Sequence, residues 1–134
     1  MLRWKEYTFV MSKPAGQKPL QEPTFLVLTA LIDQPLHGYA LLQEVDRISE
    51  GRTQMRVGTL YAVLDRLAGE GLVEIAVEEI VNNRLRRTYR ITEAGTAALG
   101  AETDRMESLT RTARTRMARI APLTPRAATR PEGA

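Results

Sequence analysis

Residues 57–92 read VGTLYAVLDRLAGEGLVEIAVEEIVNNRLRRTYRIT, and this stretch decides the fold. From Val57 to Gly69, at 3.6 residues per turn, Val57, Leu60, Tyr61, Leu64, Leu67 and Ala68 fall on one side of a helix. Thr59, Ala62 and Arg66 fall on the other side, with Val63 on its flank. Gly71 is the stop signal. Leu72 to Val81 and Leu85 to Ile91 are rich in strand-forming residues, and Asn82-Asn83 between them is a hairpin turn. The spacing predicts a helix that runs straight into a β-hairpin.

The flanking sequence extends this order in both directions. Met1 to Met11 holds the only Trp but lacks the apolar core of a signal peptide. Pro14, Gly16, Pro19 and Pro23 mark a linker, so residues 1–19 are expected to form an N-terminal arm. A first helix is expected after Pro23, with Thr24 as cap, ending near Gln34-Pro35; Phe25, Leu28, Leu31 and Ile32 repeat at helical spacing. A second runs from Gly38 to Ser49 on Leu41, Leu42, Val45 and Ile48, and Gly51 ends it. Thr92 caps a long last helix from Glu93 to Ile120, which Pro122 stops. Residues 122–134, with Pro125, Pro131 and Gly133, read as a disordered tail.

The expected class is α+β, mostly α. Residues 20–92 form a winged helix-turn-helix domain, and residues 93–121 form a long C-terminal dimerisation helix.

Charge distribution sharpens the reading. The net charge is only +3, and Leu20 to Gly100 holds 8 basic and 11 acidic residues. The positive charge is local: Arg84, Arg86, Arg87 and Arg90 crowd one hairpin, and five arginines from Arg105 to Arg119 lie in the last helix. A nucleic-acid binder needs such a patch rather than a high total. On the third helix, Thr59 suits either base type, Ala62 and Val63 suit a thymine methyl, and Arg66 suits guanine. Arg56 precedes that helix, where the dipole also favours an anion. Arginines on the hairpin can clasp phosphates or enter the minor groove. Glu74, Glu78 and Glu79 lie on the partner strand, so only part of the cluster is expected to be available.

The last helix is roughly 40 Å long at 1.5 Å per residue, more than a domain of this size covers. Leu99, Met106, Leu109, Ala113, Met117 and Ile120 make an apolar stripe along it, and a second copy of the chain is the natural partner.

Enzymatic chemistry finds no support. One histidine and no cysteine leave few nucleophile–base pairs, and there is no glycine-rich phosphate loop. His37 reads as a local hydrogen-bonding residue rather than a ligand. No metal, no cofactor and no membrane span are expected, and a cytoplasmic location fits the cysteine-free composition.

His37-Gly38-Tyr39, Gly58-Thr59-Leu60-Tyr61, Gly71-Leu72-Val73, Arg86-Arg87-Thr88-Tyr89 and Thr92-Glu93-Ala94-Gly95 together resemble the PadR family of transcriptional regulators, over roughly residues 20–120. The resemblance implies a homodimeric repressor that binds double-stranded DNA at a near-palindromic operator and is released by a small effector. It implies that Tyr61 contacts the DNA backbone, that Arg86 and Arg87 belong to the wing, and that Gly58 and Tyr89 are part of the interface. Arg56 stands where the family often has Ser, and Val57 where Pro is common. Some members stack flat drugs on a tryptophan of the last helix, which this chain lacks, Trp4 being the only one. An effector would then sit between the apolar faces of the first and last helices. The alternative is a winged-helix module that docks a partner protein instead of DNA.

Overall fold

The computed structural model describes residues 19–120. Most of the expected arm, residues 1–19, and the whole of the expected tail, residues 122–134, lie outside the described residues. Described residues up to Glu102 form one unit and those from Thr103 another.

The first helix, α1, runs Glu22–Leu31 with Gln21 at its N-cap. It begins earlier than expected because Pro23, lacking an N–H, fits the first turn, where that donor has no partner anyway. Thr24 therefore lies inside the helix and is 2% exposed, so it is not the cap. Leu26, Val27, Leu28, Ala30 and Leu31 are all buried, which makes α1 the central helix of the core.

Leu36–His37 form a two-residue strand, β1, and α2 follows at Gly38–Ile48. Glu50 (φ 55°) and Gly51 (φ 79°) turn the chain after α2 in the left-handed region. The third helix, α3, spans Val57–Gly69, and Gly71 (φ 77°) ends it. Strands β2 (Val73–Val81) and β3 (Arg84–Ile91) pair antiparallel across Asn82 and Asn83, whose φ of 52° and 64° fit a tight hairpin turn. Ala76 is extra between the pairs Ile75–Tyr89 and Val77–Thr88, a bulge in β2. β1 joins the free edge of β3, with Leu36 opposite Tyr89 and His37 opposite Thr88, so the sheet order is β1-β3-β2. A strand this short carries no periodic signal, and the sequence reading missed it.

The last helix, α4, spans Glu93–Ile120. Thr92 caps it as expected: its hydroxyl accepts the Gly95 N–H at 3.0 Å and donates to the Gly71 carbonyl at 2.6 Å. Leu99 is 9% exposed and belongs to the core of its own unit, which corrects its place in the expected interface stripe. Leu60, Leu64 and Leu67 of α3 are fully buried in that core, each contributing about 1.5–3 kcal/mol by removal from water.

Candidate nucleic-acid interface

Burial of Leu60, Val63, Leu64 and Leu67 sets which way α3 faces. Their spacing is i, i+3, i+4, i+7, and it turns the buried stripe by roughly 50° from the expected one. Val57 and Tyr61 are 57% and 41% exposed, and Ala68 is exposed too. Val63, expected on the outer flank, is 8% exposed and packs in the core, so it has no base-reading surface. Arg56, Gly58, Thr59 and Ala62 are exposed together at the start of α3, and Asp65 joins them one turn on. A Cβ at Gly58 would meet nothing within 4 Å, so packing within the chain does not demand glycine there.

Arg66 is on this helix but not on its outward face. Its Nη2 donates to Thr24 Oγ1 of α1 at 2.5 Å, and its Nη1 lies 3.6 Å from Glu70 Oε2. Thr24 is buried, so the guanidinium supplies its hydroxyl with a partner that water cannot. The expected guanine contact is thus replaced by a tie between α1 and α3. Arg66→Ala is expected to lower stability by about 1 kcal/mol, a charged hydrogen bond discounted for exposure, and to leave base preference untouched. A urea midpoint that stays put, with relaxed preference at one base position, would return Arg66 to the groove.

Tyr61 packs its ring tip over the start of α2. A Cβ at Gly38 would collide with the Tyr61 hydroxyl, so glycine at 38 answers to Tyr61 and not to backbone conformation. Tyr89 is 3% exposed and stands in the core, which corrects its assignment as a contact residue. Burial pushes its hydroxyl above the ordinary tyrosine range, opposed by the Arg87 guanidinium bonded to it.

The wing sorts its arginines by partner. Arg87 Nε donates to Glu78 at 2.7 Å, and Arg90 Nε to Glu74 at 2.7 Å. The bond to Glu78, then that to Tyr89, raises the Arg87 pKa further. Arg84 and Arg86 make no ion pair among the described residues, although Glu79 lies directly across from Arg86. The wing tip also carries Ile80 and Leu85, paired across the strands and 69% and 53% exposed. No group of acidic or histidine side chains among the described residues could hold a metal ion. No described helix is long and apolar enough to cross a membrane.

The model of the transcriptional regulator PadR-like family matches residues 27–101. The chain belongs to this PadR-like family of transcriptional regulators. A Mycobacterium tuberculosis transcriptional regulator is 38% identical to it over 85 residues, covering 63% of this chain and 76% of that protein. Among solved structures, a PadR family regulator from Clostridium difficile superposes with a TM-score of 0.61 at 15% identity, over 72% of this chain and 99% of that one. Bacillus subtilis PadR in complex with operator DNA superposes with a TM-score of 0.54 at 19% identity, over 61% of this chain and 46% of that one. These two likenesses establish the winged-helix fold.

Within this PadR-like chain, sequence reasoning missed three features of the site. β1 and the Tyr61–Gly38 contact depend on residues far apart in sequence. Asp65 was legible, as an acid at helical spacing from Gly58 and Ala62, once the buried stripe was placed correctly.

Proposed function

We propose that this chain binds double-stranded operator DNA as a homodimer, represses transcription there, and is released by a small molecule. The observation that carries the reading is the pairing of a small-residue outward face on α3 with two wing arginines, Arg84 and Arg86, free of ion pairs among the described residues. Short side chains let the helix backbone approach base edges, and guanidinium groups on the hairpin fit phosphate. The operator complex of the Bacillus subtilis relative supports the same use of the fold.

The homodimer rests on α4. Met106, Leu109, Met117 and Ile120 are 38%, 58%, 57% and 53% exposed within one chain. They lie seven and four residues to either side of Ala113, so the stripe is symmetric about that residue. An antiparallel second copy sets Met106 against Ile120, Leu109 against Met117, and Ala113 against itself. That is the self-complementarity a two-fold interface requires. At 1.5 Å per residue the two copies of Glu102 then stand about 33 Å apart along the pair. One turn of DNA is about 34 Å, the spacing of half-sites in an inverted repeat.

Selecting bound fragments from a random duplex pool tests the reading. An inverted repeat is the expected result. The protein-docking alternative draws on the exposed Ile80–Leu85 pair, and a pool without enrichment would favour it.

The wing arginines should differ in what they supply. Arg84→Ala and Arg86→Ala are each expected to flatten the log–log salt dependence of binding by about 0.9, on operator and random DNA alike. Arg87→Ala and Arg90→Ala should change it less, because their charges are already matched by Glu78 and Glu74. Fluorescence anisotropy across a salt series reads this directly. Equal slopes for all four variants would mean that the ion pairs open on binding.

A further inference from the structure

The corrected orientation of α3 puts an acid at the middle of its outward face. Opposite the buried Leu60, Val63, Leu64 and Leu67 stand Gly58, Ala62, Asp65 and Gly69. Asp65 is exposed and makes no hydrogen bond or ion pair among the described residues. Its surface neighbours three and four positions away are Tyr61, Ala62, Ala68 and Gly69, none of them basic. Asp65 lies close enough to the buried Tyr89 hydroxyl to act on it electrostatically, and the Arg87 guanidinium at that hydroxyl is taken up by Glu78.

The stability of α3 itself offers no reason for this residue. Aspartate is a poor former of helix interiors. Asp65 is past the first turn, so it caps nothing, and in the C-terminal half a negative charge opposes the helix dipole. On a surface that faces phosphates, an unmatched carboxylate also weakens general attraction. Its chemistry is instead selective. A carboxylate has no proton to give, so it is repelled by N7, O6 and O4, the acceptors that guanine, adenine and thymine show in the major groove. It can accept only from an exocyclic amino group. Adenine N6 sits beside the N7 acceptor, whereas cytosine N4 offers a donor alone.

We infer that Asp65 is a specificity-determining residue, accepting a hydrogen bond from the N4 amino group of a cytosine in the major groove. The inference rests on the reading of the chain as an operator-binding dimer.

The test uses the full chain and its Asp65→Asn and Asp65→Ala variants, each selecting fragments from one random duplex pool. Because Asp65 is exposed and unbonded, all three are expected to fold alike by circular dichroism. The unaltered chain should enrich cytosine at one position per half-site, the two positions related by symmetry. Asp65→Asn should move that position to adenine, which an amide can bind at N6 and N7 together. Asp65→Ala should lose the preference, about 5- to 150-fold on the substituted duplex, and bind random DNA more tightly for want of one negative charge. Identical sequences from all three proteins would overturn the role of Asp65 while leaving the operator-binding reading intact. A pool with no enrichment by the unaltered chain would overturn both.

Discussion

A chain carrying Leu109→Asp and Met117→Asp together is expected to sediment as a monomer under conditions where the unaltered chain sediments as a dimer. Both residues are exposed in the single chain, so the substitutions leave its own core alone, and circular dichroism should be unchanged. In the antiparallel pair about Ala113, Leu109 of one copy meets Met117 of the other. The double variant therefore places four carboxylates in the seam. Burying them unpaired costs several kcal/mol each, more than the lost apolar contacts would have supplied. Operator affinity should fall about 10²- to 10⁴-fold, because each half-site must then be bound without its tethered neighbour. Direction and register can be read separately. The chain has no cysteine, so an introduced one reports alone. Ala113→Cys should form a disulfide-linked dimer, since only that position faces its own copy closely enough. Leu109→Cys should crosslink with Met117→Cys and not with itself. Self-crosslinking at 109, 113 and 117 alike would mean a parallel pair, and a double-aspartate variant that remains dimeric would place the interface elsewhere.

Gly95→Ala should be the most damaging small substitution in the globular unit. A Cβ there would collide with the Leu72 carbonyl and press on the Ile91 side chain. Relief by backbone movement is blocked on several sides. Gly95 N–H is held by the Thr92 hydroxyl at 3.0 Å, that hydroxyl holds the Gly71 carbonyl, and Thr92 N–H bonds the Leu72 carbonyl at 3.0 Å. The start of α4 is thus pinned onto the start of β2. The expected loss is about 2–4 kcal/mol, beyond ordinary overpacking because a backbone atom is what must yield. For a unit of this size that lowers the thermal midpoint by about 10 °C or more. Gly100→Ala is the control. It lies on the same helix with open space around its Cβ, and should be neutral or stabilising by about 0.5–1 kcal/mol. Equal midpoints for the two variants would show that the backbone at Leu72 yields without cost.

The double-aspartate and Gly95 results draw on different kinds of information. The stripe around Ala113 is visible in the residue spacing, because a helix of 28 residues repeats its period often enough to mark a face. The collision at Gly95 is invisible there. In sequence it is only the last residue of Thr92-Glu93-Ala94-Gly95, and its need for glycine comes from Leu72, 23 residues earlier.

The same division runs through the candidate interface. Sequence alone determined the extents of α3 and α4, the Asn82-Asn83 turn, the stops at Gly51 and Gly71 and the Thr92 cap. Each is a local matter, settled by backbone preference and hydrogen bonds within a few residues. The family resemblance was legible for a related reason, since its motifs sit at these junctions. Tertiary packing alone decided which edge of α3 is buried, why Tyr89 is core, where Arg66 reaches, how Arg87 and Arg90 are paired, and that Leu36–His37 is a strand. On α3, periodicity limits the buried face to an arc, and Val63 and Tyr61 stand at opposite margins of it. The neighbouring elements chose between them: the core closed over Val63, while the larger Tyr61 ring found its place at the rim against Gly38. A face defined to within one residue on either side locates the helix, but only its packed neighbours decide that Asp65, and not Arg66, stands at the centre of what it presents.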